Sequence, residues 1–389
     1  MPDGSEPATI RLLSSIAEID AASWDALAGG DNPTVSHAFL ASLEESGSAS
    51  AETGWAPHHV IVEDRSGRAL AAAPLYLKNH SFGEYVFDHG WADAYERAGG
   101  RYYPKLQLSI PFTPVPGPRL LVHPEAAEGT RVTLIAGLIE IAKRMGVSSL
   151  HVTFPREDEW RALGEAGFLL REGEQFHWEN RGYGSFEDFL AALSSRKRKN
   201  IRKERAAALE SGLEIKALTG SAIEPRHWDA FFRFYRNTSD RKWGDPYLTR
   251  DFFARLGATM GDKIVLVIAE KAGRPVAGAL NLLGREALYG RNWGADGDYP
   301  FLHFECCYYR AIDFAIAHGL ARVEAGAQGP HKIQRGYLPV ATYSAHWIRD
   351  PGLRDAVAKF LARERLAIQR EREFIEAELS PFREQPDRA

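Results

Sequence analysis

Apolar and polar positions along the chain run through one cycle twice. In the first cycle, residues 10–13 alternate as a strand, and helical periodicity follows over 21–27 and 36–45. Residues 59–63 and 70–78 read as a hairpin around the turn Asp64-Arg65-Ser66-Gly67-Arg68. A Tyr-rich segment, residues 105–110, a proline-punctuated stretch to Pro118 and a strand over 119–122 come next. Leu134, Leu138 and Ile141 form one apolar stripe on a predicted helix over 130–145, which Gly146 ends. A strand over 150–154, a short helix to Ala166 and a strand over 168–178 close the cycle. The second cycle predicts helices over 186–211, 226–240 and 248–260, then strands over 264–270 and 275–283 around a Gly273 turn. A strand over 287–293, a helix over 302–317 and strands over 322–325 and 343–348 complete it. Residues 353–379 form a last amphipathic helix, expected to cover the second domain.

Helices, hairpin, further strand, helix, strand and closing strand, in that order, predict an α/β (α+β) fold with mixed sheets and helices on both faces. The repeat divides the chain into domains 1–182 and 183–389, and 389 residues are ample for two cores. The formal charge of −4 confines any polyanion contact to a local patch. No apolar run reaches the roughly 18 residues of a membrane span, and the N-terminus lacks the apolar stretch of a secretion signal. The two cysteines, Cys306 and Cys307, are adjacent and read as reduced thiols. These features together predict a cytoplasmic protein.

Certain strings carry more than periodicity. The first half holds Tyr85-Val-Phe-Asp88-His-Gly-Trp91-Ala-Asp93-Ala-Tyr95, then Tyr102-Tyr103-Pro104-Lys105 and Ile110-Pro111-Phe112-Thr113-Pro114. The second holds Phe301-Leu-His303-Phe-Glu305, Glu324-Ala-Gly326-Ala-Gln328-Gly329-Pro330-His331-Lys332, Arg335-Gly336 and Tyr343-Ser344-Ala-His346-Trp347. Together these resemble the FemAB-like family of N-acyltransferases, over about residues 24–361. The resemblance implies two tandem GNAT-like domains and transfer of an acyl or aminoacyl group to an amine of a small molecule or cell-wall precursor. Acyl-CoA or aminoacyl-tRNA would be the co-substrate, with no tightly bound cofactor. The chain departs from acetyl-CoA-dependent GNAT domains in lacking a clear Arg/Gln-x-x-Gly-x-Gly/Ala turn, which leaves the donor open.

Acyl transfer needs a base for the amine, a donor for the oxyanion and an acid for the leaving group. Glu324, at the end of a predicted strand, is the candidate to hold or deprotonate the amine. Gly326 and Gly329 let backbone amides approach a ligand, with Gln328 between them as a substrate contact. His331 has the intrinsic pKa of a proton shuttle, and Lys332 and Arg335 are candidate clamps for a phosphate or carboxylate. The alternative is a plain turn with a solvated tip. His303 opens a predicted helix where free N–H groups suit an anion, and Asn292 lies on the strand where a donor amide would pair.

Residues 194–205 carry seven cations and one carboxylate. On a helix, Arg198, Arg202 and Arg205 share a face, which suits the phosphates of a nucleotide, CoA or tRNA, or else a solvated surface. Asp88, Trp91, Tyr95 and Lys105 read as a substrate-recognition cluster, or as packing between the halves. No metal-ligand spacing, nucleophile elbow or P-loop is present. Besides the enzyme, two other functions fit these features. One is a non-catalytic module binding peptidoglycan or a nucleotide sugar; the other is an RNA-binding role for the basic run.

Overall fold

The computed structural model describes residues 8–210, 212–242, 246–326 and 329–383. The chain forms two compact units, Met1–Gly173 with Ala341–Gln369, and Glu174–Val340 with Arg370–Ala389.

The first unit contains β1 (Thr9–Leu13), β2 (Trp55–Pro57), β3 (His59–Glu63), β4 (Ala69–Ala73), β5 (Leu75–Lys78), β6 (Lys105–Leu108), β7 (Leu121–Val122) and β8 (Ser149–Thr153). Its helices are α1 (Ala21–Ala28), α2 (His37–Glu45), α3 (His89–Arg97), α4 (Thr130–Met145) and α5 (Glu157–Glu165). Pro74, which has no N–H for a ladder, divides the predicted second hairpin strand into β4 and β5. β4 then joins the sheet β1-β3-β4-β7, while β5 joins the run β2-β5-β6-β8. Val60, Leu75, Leu106, Leu134, Leu138 and Val152 meet in the core between the strands and α4. Each such side chain contributes about 1.5–3 kcal/mol through burial. β6 and β8 are parallel, with Leu106 opposite Leu150 and Leu108 opposite Val152.

β9 (Leu169–Glu179) leads the chain into the second unit, which adds α6 (Phe186–Ala192), α7 (Ser195–Glu210), β10 (Leu213–Thr219), α8 (Pro225–Lys242) and α9 (Arg250–Met260). Then come β11 (Ile264–Lys271), β12 (Arg274–Leu283), β13 (Ala287–Ala295), α10 (Leu302–Phe304), α11 (Arg310–Ala317) and β14 (Arg322–Glu324). Glu305–Tyr309, between α10 and α11, is a single π turn, a local widening often met at functional sites. The strand order in this unit is β10-β11-β12-β13-β14-β9. Its core joins Trp178, Phe189, Leu288, Tyr309, Ile312, Val323 and Tyr337.

The expected division at 182/183 matches neither edge of the compact units, because the closing strand of each half pairs inside the other unit. Glu179, Trp178 and His177 of β9 lie opposite Arg322, Val323 and Glu324 of β14. In return β15 (Leu338–Ile348) brings Ser344 and His346 opposite Thr153 and His151 of β8. The final helix, α12 (Pro351–Phe374), consequently does not simply cover the second domain. Its Leu353, Val357 and Leu361 pack with Trp91, Tyr102 and Ile348 in the first unit, whereas Ile375 just beyond it joins the core of the second. The predicted helix over 186–211 is interrupted at Leu193, where the chain extends so that Ser194 N–H donates to the Pro381 carbonyl at 2.9 Å. α3 and β10 are elements that periodicity did not predict. α3 is polar on average and buries only Trp91 and Ala92, and β10 buries only Leu213 and Ile215.

Candidate active site where two parallel strands part

β13 and β14 run side by side only over Ala287–Tyr289 and Arg322–Glu324. Beyond that point β14 ends, while β13 continues along β12 to Ala295. The β12–β13 ladder slips there, pairing Asn281 with Gly290 but Leu280 with Asn292, so β13 carries an extra residue, a bulge, at Arg291. Gly290 is the first residue of β13 beyond the paired stretch. A Cβ on it would lie 3.2 Å from the Glu324 carbonyl oxygen and 3.4 Å from the Ala325 Cα, a tight fit against the β14 backbone that suits glycine.

Glu324 is buried at this parting point, and Arg322 Nε donates to its Oε1 at 2.8 Å. Among the described residues, its Oε2 has no hydrogen-bond partner. Burial pushes its carboxyl up to about 6, and the charge and hydrogen bond of Arg322 pull the other way. His177, directly across the β9–β14 ladder, places Nε2 3.9 Å from Glu324 Oε2. Burial, with Arg322 and Lys332 nearby, lowers His177 to about 3, so it is neutral at pH 7. Its Nε2 also lies 3.2 Å from Gln175 Oε1.

Downstream, Pro330–Arg335 forms a short 3-10 helix. It aims Lys332 Nζ at the Gly326 carbonyl, 2.8 Å away, and burial lowers this ammonium to about 8. Gly329 has φ 119°, and a Cβ there would fall 2.3 Å from the His331 ring, so this turn requires glycine. His331 is exposed, with Nε2 2.9 Å from the Tyr308 hydroxyl. Tyr308 belongs to the π turn, and His303 packs between the Trp293 and Tyr308 rings at 5.4 Å from each. Asn292 is half-buried on β13, two residues beyond Gly290. Glu324, Gly329, His331, Lys332, His303 and Asn292 thus all belong to this unit, around β13, β14 and the short 3-10 helix. Gln328 lies outside the described residues.

The arginine candidates have partners within the protein. Arg335 Nη2 and Nε hold both oxygens of Glu204, at 2.9 and 3.2 Å, its Nη1 donates to the His331 carbonyl at 2.8 Å, and its guanidinium lies 3.4 Å from the Phe304 ring centroid. That geometry fixes the 3-10 helix to α7 and makes Arg335 a structural tie. Glu305, in the π turn, is held by Arg205 and Arg310. Of the basic face, Arg205 is drawn inward to Glu305 and Asp313, Arg202 is exposed and pairs with Glu187, and Arg198 reaches Ser195. The stripe of three is therefore divided between a half-buried tie and a solvent face.

The first-half cluster also differs from the expectation of a recognition surface. Lys105 and Asp88 are both buried, and the ammonium donates to Ser81 Oγ, Glu84 Oε2 and Asp88 Oδ2 at 2.7, 2.8 and 2.5 Å. Tyr102 adds a hydrogen bond to Asp88, and His151 and His346 continue the network with Nδ1 atoms 2.6 Å apart. Trp91 packs edge-on against His346, and the Tyr95 ring covers Gly100. Lys105 and Asp88 are closed to solvent, so they latch the 81–88 segment rather than grip a substrate.

The FemAB-like family, described by peptidoglycan biosynthesis/recognition, matches residues 15–384. The chain belongs to the FemAB-like family. No curated protein matches it in sequence. Among solved structures it is similar to FemX, at 12% identity and a TM-score of 0.54 over 87% of this chain and 98% of that one. It is also similar to the C-terminal domain of a protein named as a lysylphosphatidylglycerol synthetase from Agrobacterium fabrum, at 12% identity and a TM-score of 0.53 over 90% and 97%. L-PGS from Bacillus licheniformis is similar at 11% identity and a TM-score of 0.50 over 82% and 95%. These likenesses are of fold, and they show that the chain has the mixed α/β fold of FemX. Among the described residues, no helix is long and apolar enough to cross a membrane.

Two members of the site were not singled out from sequence. His177 reaches Glu324 on a strand contributed by the other half of the chain. The only signal was the alternation Gln175-Phe176-His177-Trp178-Glu179, which aligns Gln175, His177 and Glu179 on one face. Tyr308 becomes visible as the partner of His331 only once the π turn is known.

Proposed function

We propose that this FemAB-like protein transfers an acyl or aminoacyl group to an amine, at the parting of β13 and β14, with Glu324 as the base. The observation that carries this reading is a buried carboxylate raised to about 6, with one oxygen unengaged among the described residues, at the point where a strand pair opens. A base of that strength is ionised at pH 7 yet basic enough to take a proton during attack. In the reaction the amine nitrogen bonds to the donor carbonyl carbon, and its proton passes to Glu324. The tetrahedral oxyanion then collapses and expels the thiolate or ribose oxygen, which takes a proton from Lys332 or from the Tyr308–His331 pair. Arg322 holds the other carboxylate oxygen in place, which leaves Oε2 to take the proton. Acyl-CoA and aminoacyl-tRNA are the two donor classes, and an amine-bearing cell-envelope precursor or small metabolite is the acceptor.

The test incubates the full chain with acyl-CoAs and charged tRNAs in the presence of amine acceptors, followed by mass spectrometry of the products. An amide product that Lys332→Met reduces by about 10- to 100-fold supports the reading. Donor and acceptor binding without any product would instead favour the binding-module reading.

A further inference from the structure

Further along β13 from Glu324, the second unit contains a pocket of about 240 Å³. Its lining includes the aromatic residues Trp293 and Tyr299, with His303, Leu302, Thr238 and the carboxylate residue Asp298. The loop that frames it, Asp296-Gly-Asp298-Tyr-Pro300-Phe301, carries two carboxylates and no cation. Arg233 pairs with Asp296, 3.6 Å away, and neither of the two lines the pocket. Aromatic faces carry negative quadrupole potential, and with a carboxylate beside them they attract a cation and repel a phosphate. Trp293 lies three residues beyond Gly290, which places the pocket roughly 10 Å along the strand from the parting point at about 3.3 Å per residue. Through His303, ring to ring with Tyr308 at 5.4 Å, it borders the same aromatic group that holds His331.

We infer that this pocket binds an alkylammonium group of the substrate, distinct from the amine that reacts at Glu324. The inference rests on the proposed transfer reaction for its role, but not for its chemistry. The ammonium sits between the Trp293 and Tyr299 faces with Asp298 as counter-charge, while the apolar stem lies against Leu302. This arrangement selects a substrate with a second cationic group, carried by the aminoacyl donor or by the acceptor, and it disfavours a diphosphate at this loop.

Calorimetric titration of the full chain with n-butylammonium chloride tests this, with 1-butanol as neutral isostere and pyrophosphate as anion. The ammonium is expected to bind at millimolar concentration or tighter, and at least fivefold more strongly than the alcohol. Asp298→Asn, a change at an exposed side chain, should weaken it by about 5- to 10-fold, and Asp298→Lys should remove it. Glycine ethyl ester as a competing ligand separates the sources: tighter binding than n-butylammonium points to an aminoacyl group, weaker binding to a plain amine. Pyrophosphate binding that Asp298→Lys does not alter, or ammonium binding equal in wild type and Asp298→Asn, would overturn the inference. Ammonium binding without any transfer activity would defeat the proposed reaction and leave the pocket standing. Transfer activity with no Asp298-dependent ammonium binding would do the reverse.

Discussion

Both units contain a parallel strand pair that parts, β6 with β8 and β13 with β14, yet the two openings have opposite fates. In the first unit the chain fills its own gap. After Leu108 the segment turns back, Gly117 N–H donates to the Phe154 carbonyl at 3.0 Å, and Arg119 Nε donates to the Thr153 carbonyl at 2.9 Å. Arg119 is fully buried, and its other nitrogens serve the Val115 and Pro118 carbonyls. Four prolines between 111 and 118 keep this plug out of any ladder. In the second unit the corresponding place holds Gly290, Glu324 and Gly326, and the end of β14 faces a titratable carboxylate instead of a guanidinium. On the proposed function the same topology gives one closed, structural unit and one reactive one, and what occupies the parting point, the 111–119 plug or Gly290 with Glu324, makes the difference.

The largest expected effect tests the reactive side. Glu324→Gln keeps the shape and the Arg322 contact but removes the base, so transfer should fall by about two to four orders of magnitude with an unchanged circular dichroism spectrum. Arg119→Ala tests the closed side. It strips three buried carbonyls of their donors and leaves a cavity, which should cost about 3–5 kcal/mol in urea unfolding without changing the kcat of the folded protein. If Arg119→Ala altered kcat while remaining stable, the first unit would be more than a scaffold. Arg335→Ala falls between the two. It leaves Glu204 without its bidentate partner and frees the 3-10 helix, so a loss of about 2–3 kcal/mol is expected, together with a fall in kcat from a displaced Lys332. The smallest effect belongs to Arg202→Ala on the exposed face of α7, where the pair with Glu187 contributes less than about 1 kcal/mol. Its Tm should barely move, and a large drop in tRNA-dependent turnover would mark that face as a donor surface.

Most of the element order was legible because each strand and helix carries its own period, as the stripe of Leu134, Leu138 and Ile141 shows. The exchange of β9 and β15 was not legible. A strand's alternation fixes which side chains share a face but not which edge will accept it, and both halves offered one. The site obeyed the same rule. Glu324, Gly329, His331 and Lys332 lie within one short stretch, so their proximity could be read from the chain. His177 arrives from far away in sequence, and only the pairing of β9 with β14 brings it to Glu324. Lys105 and Asp88 misled for a related reason. Charges among aromatics look the same in sequence whether they face solvent or, as here, neutralise each other in the interior.

The central claim is that a proton moves to Glu324 during transfer, and the pH dependence of kcat/KM tests it most directly. The wild type should show a bell. Its rising limb reflects Glu324 losing its proton at about 6, and its falling limb reflects Lys332 losing its charge at about 8. In Glu324→Gln the residual rate should lose the rising limb and keep the falling one. A Glu324→Gln profile with both limbs intact and a rate near that of the wild type would contradict the account.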